Sequence, residues 1–261
     1  MHFTYYVANG YTSRDKTVGS YGGMSEFRIR NLAERDTTIR QRLFFADRPP
    51  LDLKPITTGP MGGPYQEFPK DLPESHKDAG PWGAQIVSDT PLAYVHISLA
   101  KRNGLTDEPR YAGGCGMQLG KQHLSNTWYF GDCFKWFVPA ENPPFPFSQY
   151  EWYHVLNPNP QPANVTVTLG DDAHNEYPPR QFTLDAQRVM FIDDPELVGG
   201  TMRACYAKFE SDRPVLIEAE RVIFGPQGPQ QWGVIIGCAS PGAAEPFLAN
   251  LPPLPPGRGP G

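Results

Sequence analysis

The chain has 261 residues, 30 of them Pro and 26 Gly, and a formal net charge of −5. Pro and Gly at that density, spread between apolar runs, exclude a bundle of long helices and suit many short strands joined by turns. An acidic balance without a basic stripe excludes a nucleic-acid-binding surface, and no apolar run approaches the ~18 residues of a membrane-spanning helix.

In chain order, Met1-His2-Phe3-Thr4 leads straight into strand-like sequence without a secretory signal pattern, so a cytoplasmic protein is expected. Residues 27–31, 38–45, 83–88 and 92–99 read as strands. Residues 49–81 read as one long irregular loop rich in Pro and Gly, either functional or poorly ordered. A short connection over 120–126 leads to a second set. Residues 127–130 open it, and 149–156 alternate until Asn157-Pro158-Asn159-Pro160 stops them. Val165, Val167 and Leu169 alternate with Asn164, Thr166 and Thr168, the period of a half-buried strand. Residues 181–184 and 189–192 read as a short hairpin or a switch between sheets. Residues 202–210 read as a strand, Ser211-Asp212-Arg213-Pro214 as a tight turn, and 215–224 and 232–238 as the last strands. After Pro246 a Pro/Gly-rich tail is expected to be extended.

The set is written twice. Tyr5-Tyr6 returns as Trp128-Tyr129, Ser88-Asp89-Thr90-Pro91-Leu92 as Ser211-Asp212-Arg213-Pro214-Val215, and Gly114-Cys115 as Gly237-Cys238, each 123 residues later. Asn31 and Asn157, each ending a strand, are 126 apart. Self-similarity at this length means two copies of one domain. The expected fold is all-β: two tandem β-sandwich domains related by internal duplication, 1–120 and 121–245, followed by the tail 246–261. About eight strands per copy, with turns every 8–12 residues, fit a sandwich. Cys115, Cys133, Cys205 and Cys238 lack any CxxC spacing. Cys115 and Cys238 are expected at equivalent places as small core residues.

The second copy resembles the sensory rhodopsin transducer family. The resemblance rests on Trp128-Tyr129, on Glu151-x-x-x-Val155-Leu156-Asn157, and on Phe182-Thr183-Leu184-x-Ala186-x-Arg188. It continues in Ser211-Asp212-Arg213-Pro214-Val215 followed by Arg221. The first copy keeps Pro91-Leu92-Ala93-Tyr94-Val95-His96, where His96 falls on the family's His, and Phe68-x-Lys70-Asp71-Leu72-Pro73. The resemblance implies a soluble β-sandwich that assembles as an oligomer and partners a membrane photoreceptor or binds a small molecule or sugar. The chain departs from the family in having two domains, in carrying Tyr150 beside Glu151, and in splitting the family's polar set between the copies.

The candidate site residues follow from chemistry. Glu218 and Glu220 lie two apart on one strand face. They could work as an acid/base pair or hold a hard divalent cation, with His96 as proton carrier or metal ligand. Against that stands a solvated outer face near Arg221 or Lys208. Glu151 and His154 are three apart and face opposite ways, so a shared metal site is not expected. The resemblance, in which the family carries both positions, implies that Glu151 pairs with Arg221 across strands. Aromatics crowd 128–153, and Trp136 is the best candidate for an exposed sugar-stacking contact. Tyr94 shares a face with His96.

No metal site, cofactor motif, P-loop or nucleophile elbow stands out. The reading is a non-catalytic binding or adaptor protein. It would hold a small polar ligand, carbohydrate among them, or a protein partner between two sandwiches, with Trp136, Glu151, His96, Tyr94 and Arg221 in contact. The alternatives are an enzyme acting on a carbohydrate or polyol through Glu218 or Glu220, and an assembly module.

Overall fold

In the computed structural model the described residues are 2–12, 22–68, 70–101, 115–119, 123–134, 136–137, 148–171, 177–193, 204–224, 238–241 and 243–244. The molecule is all-β, with antiparallel sheets throughout. Strands of the first half are β1 (Phe3–Thr12), β2 (Gly22–Asn31), β3 (Thr37–Phe45), β4 (Leu51–Asp52), β5 (Ile56–Thr58), β6 (Tyr65–Phe68), β7 (Gly80–Ser88), β8 (Leu92–Lys101) and β9 (Cys115–Leu119). Those of the second are β10 (Ser125–Phe134), β11 (Trp136–Phe137), β12 (Ser148–Asn157), β13 (Ala163–Asp171), β14 (Arg180–Leu184), β15 (Arg188–Asp193), β16 (Ala204–Phe224), β17 (Cys238–Pro241) and β18 (Ala243–Ala244).

One sheet of the first half runs β1-β7-β3-β4, with β5 also on β3, and its facing sheet runs β6-β2-β8-β9. The second half repeats these pairings. Strand β16 pairs with β10 and β13, and β13 with β14. The later part of β16 lies between β12 and β17, with β15 on the far side of β12. The registers match too: Val7 faces Ala84 and Phe130 faces Ala207, each partner 123 residues on.

Inward side chains fill the space between facing sheets. Trp82 meets Phe27 and Phe68 edge-on, both at 5.3 Å. In the second half Tyr153 meets Phe209 at 4.9 Å and Phe130 at 5.6 Å. These rings are each nearly or fully buried, and large rings bury more apolar area per residue than aliphatic side chains.

Two expectations change. Residues 49–81 are not a structureless loop. They hold β4, β5 and β6 and a 3₁₀ turn over Glu74–His76. Leu51 pairs with Leu43, and Ile56 with Ile39. Edge strands this short, set between prolines and glycines, are too brief to show a period of two. The second change concerns Ser211–Pro214, which does not reverse the chain. Strand β16 runs on through it and changes sheets: Lys208 faces Tyr129 and Thr168, whereas Glu218 faces His154. Pro214 has no N–H to give a ladder, which suits a corner between sheets. Strands β7 and β8 make the same switch around Pro91.

The register also puts Cys115 opposite Leu99 but Cys238 opposite Arg221, so Cys238 is one residue out of step with Cys115. The expected strand over 232–238 lies outside the described residues up to its last position, where β17 begins, and the tail lies wholly outside them.

A matched pair of corners closes the two halves. Buried Asn31 donates Nδ2–H to the carbonyls of Arg35 (2.7 Å) and Gly59 (3.0 Å), and its Oδ1 accepts from Ala33 N–H at 3.0 Å. Buried Asn157 donates to Gln161 (2.9 Å) and Asp185 (3.0 Å), and its Oδ1 accepts from Asn159 N–H at 3.0 Å. Nearby, Met61 and Gln187 hold left-handed backbone at φ 53° and 55°. Their N–H groups bond to Ala33 and Asn159. A non-Gly residue there is uncommon, and both corners accept it.

Candidate functional site

The ladder between β1 and β7 breaks between Val7 and Gly10. This bulge frees the N–H groups of Ala8 and Asn9 from the β7 partner strand. Both point into the second half. Glu218 Oε2 accepts from Ala8 N–H at 2.7 Å and from Asn9 N–H at 3.1 Å. Glu218 is 1% exposed, and Ala8 and Asn9 are buried as well. A carboxylate taken from water needs charge-assisted hydrogen bonds to offset its desolvation, and two backbone donors on one oxygen supply them.

Apolar packing seals the rest of this junction. Ala8 and Phe44, from the first half, belong to the hydrophobic core of the second, and Tyr6 packs against it. Gly83 stands opposite the bulge. A Cβ there would lie 2.9 Å from the Val7 carbonyl and 3.1 Å from Leu156 Cδ1. Absence of a side chain at 83 is therefore what lets Leu156 of β12 approach β7.

Two further buried polar groups bear on the carboxylate, one across the strand from it and one in the core of the first half. His154 is directly across from Glu218 in the β12–β16 register, 2% exposed, with its ring edge-on to Phe191 at 5.3 Å. Tyr94 is 2% exposed, and its ring stacks with Tyr5 at 6.5 Å. Burial pushes the Tyr94 phenol well above its ordinary 10, and the Glu218 charge pushes in the same direction. The hydroxyl stays protonated.

The sequence-derived candidates fall as follows. Glu218 belongs to the buried junction, and Tyr94 to the core of the first half, within reach of the Glu218 charge. Glu218 does not have the solvated surroundings weighed for it. Glu151 lies directly opposite Arg221 in the β12–β16 register, and Arg221 is flanked on its other side by Cys238 of β17. Glu220 lies between Trp152 and Ala239 in the same ladders. Trp136 is in β11, opposite Gln149. His96 is in the other half, between Phe27 of β2 and Gln118 of β9. Strands β9 and β17 lie against each other, so the sheets carrying His96 and Arg221 approach along these strands.

Sequence reasoning missed the bulge at Ala8–Asn9 and the burial of His154. Neither residue type signals a bulge. The one available sign was the pair of small residues at 8 and 10 within an otherwise bulky aromatic strand.

No protein-family model and no curated protein matches the chain. Among solved structures, a Thermotoga maritima protein (1070) is 13% identical over 46% of this chain and 95% of its own, with a TM-score of 0.37. The Anabaena sensory rhodopsin transducer is 17% identical over 36% of this chain and 86% of its own, with a TM-score of 0.30. A Bacteroides uniformis beta-glucuronidase is 10% identical over 90% of this chain and 28% of its own, with a TM-score of 0.19. Among the described residues, no helix is long and apolar enough to cross a membrane.

Proposed function

We propose that the chain is a non-catalytic binding or adaptor protein. Two sandwich domains, 1–120 and 121–245, arose by duplication and are joined into one body, with 246–261 as a tail. The observation that carries this reading is the use of Glu218. The carboxylate best placed for acid/base work is buried and bonded to two backbone N–H groups of the other half. A general acid or base must reach the proton it transfers, and a group so enclosed serves to fix the two halves instead. The recurring strand pairings and the matched corners at Asn31 and Asn157 support the duplication.

The ligand-facing side of the molecule is then the region where β9 and β17 meet. Glu151 and Arg221 sit opposite each other there, with His96 approaching from the first half and Trp136 at the far edge of the same sheet. An Arg opposite a cross-strand Glu suits a small polar ligand such as a sugar or an organic acid.

Thermal melting against a panel of sugars, polyols and organic acids tests the proposal. A saturable rise in Tm with one chemical class, absent in Arg221→Ala and Trp136→Ala, is expected. Turnover of chromogenic glycosides by the native protein, abolished in Glu220→Gln, would overturn it in favour of an enzyme acting on carbohydrate.

A further inference from the structure

The register of β10 against β16 places Cys133 directly opposite Cys205. The pair follows immediately on a break in the ladder between Phe130 and Cys133, at the place where β1 has its own bulge between Val7 and Gly10. In the first half the corresponding residues are Gly10 and Trp82, also paired across strands. There the chain solves the position with a large ring over no side chain at all: a Cβ on Gly10 would fall within the indole of Trp82. In the second half the same two places hold two thiols.

Directly opposed residues on antiparallel strands have Cα atoms about 4.5 Å or about 5.5 Å apart, depending on the hydrogen-bonding class of the pair. Both separations lie inside the about 4.4–6.8 Å range that a disulfide spans. The sequence spacing between the two cysteines gives no hint of this, because they lie on strands that only the fold brings together. Gly131, two residues before Cys133, and Tyr206, next to Cys205, are exposed.

We propose that Cys133 and Cys205 are a redox pair that closes into a cross-strand disulfide. Its oxidant is a low-molecular-weight disulfide such as oxidised glutathione. The thiolate of one cysteine attacks the reagent's S–S bond, forming a mixed disulfide and releasing one reduced thiol. The thiolate of the other then attacks the protein sulfur of that mixed bond, forming the Cys133–Cys205 bond and releasing the second reduced thiol. Two protons and two electrons leave the protein, and one molecule of reagent is reduced. The closed form ties β10 to β16 beside the bulge and limits fraying at that end of the sheet.

The test uses the full chain, equilibrated with oxidised glutathione or with dithiothreitol, alkylated, digested with trypsin and mapped without reduction. The oxidised sample is expected to yield a linked species joining peptide 122–135 to peptide 204–208, and the dithiothreitol sample to lack it. Titratable thiols in denaturant are expected to fall from the four cysteines of the sequence to two. Oxidised protein should also melt at a higher temperature than reduced protein, and Cys133→Ser should remove that difference. Cys133 and Cys205 recovered only as free or glutathione-capped thiols would overturn the proposal. So would a link joining Cys115 to Cys238 in its place. Because the peptide map is made on the native sequence, it does not depend on any variant folding.

Discussion

At the scale of single residues, the structure turns on Glu218. Its chemistry as a carboxylate was evident from the sequence, but its employment was not, because a bulge in a strand some two hundred residues away supplies the donors. Removing the side chain leaves the N–H groups of Ala8 and Asn9 buried without an acceptor. Each such group costs about 1–3 kcal/mol, so Glu218→Ala should destabilise the protein by roughly 3–5 kcal/mol. Glu218→Gln, which keeps one acceptor oxygen, should cost about half as much. Denaturant unfolding of the two variants checks the ratio; equal losses would mean the charge, not the acceptor, matters. Tyr94 gives a second expectation. Its phenol binds its proton more tightly in the folded state than the ordinary 10 of the unfolded chain. The stability it contributes is therefore complete below about pH 10 and falls as pH rises above it, by up to about 1.4 kcal/mol per pH unit. Tyr94→Phe cannot lose a proton, so its alkaline unfolding curve should be flatter than that of the native protein. Identical curves would show that Tyr94 does not limit stability in base.

At the scale of elements, strands with a clean alternation were legible, and those defined by a partner were not. Strand β13 announced itself through Val165, Val167 and Leu169, all buried. Strands β4 and β5 carry two and three residues and exist because β3 offers them an edge. The sheet change within β16 read as a turn because Ser-Asp-Arg-Pro is turn chemistry, and only the ladders show that the chain goes on. The Asn corners were visible as strand ends, but their bonds run to carbonyls 28 residues away in each half, beyond any local pattern. Those bonds hold the end of β2 to the segment after β5, and the end of β12 to the link between β14 and β15, where the chain passes from the β13 sheet to the β12 sheet. Asn31→Ala and Asn157→Ala should each cost about 1–3 kcal/mol, since the part-buried carbonyls and N–H group that each side chain holds lose their partner. Calorimetry of both variants checks whether the equivalence extends to energy. A loss in one corner and none in the other would count against common construction.

At the scale of the whole molecule, the two halves that the 123-residue offset relates differ in a way the sequence did not show. The first half presents the outer face of its β1-β7-β3 sheet to the outer face of the β15-β12-β16 sheet of the second. The two faces are different surfaces, so the contact is head to tail, a kind that can in principle be continued by another unit. The residues argue that it is not. Where the second half carries buried Leu156 and His154, the first carries Arg30 and Arg28, both exposed. Where it carries Glu218, the first carries Val95. The first half therefore lacks both the apolar seat and the carboxylate, as a terminal unit with a polar outer face should. The stability of each half then depends unequally on the other. Fragment 123–261 alone would expose Leu156, Leu216 and the buried Glu218–His154 pair. It should be poorly soluble, or melt well below the full chain, until fragment 1–122 is added in trans and restores a one-to-one complex. The intact protein should unfold in a single cooperative transition, because Ala8 and Phe44 belong to the core of the other half. Scanning calorimetry of the native chain and its fragments decides it: two separate transitions in the intact chain, matching those of the fragments, would show that the junction adds no coupling and that the halves are beads on a string.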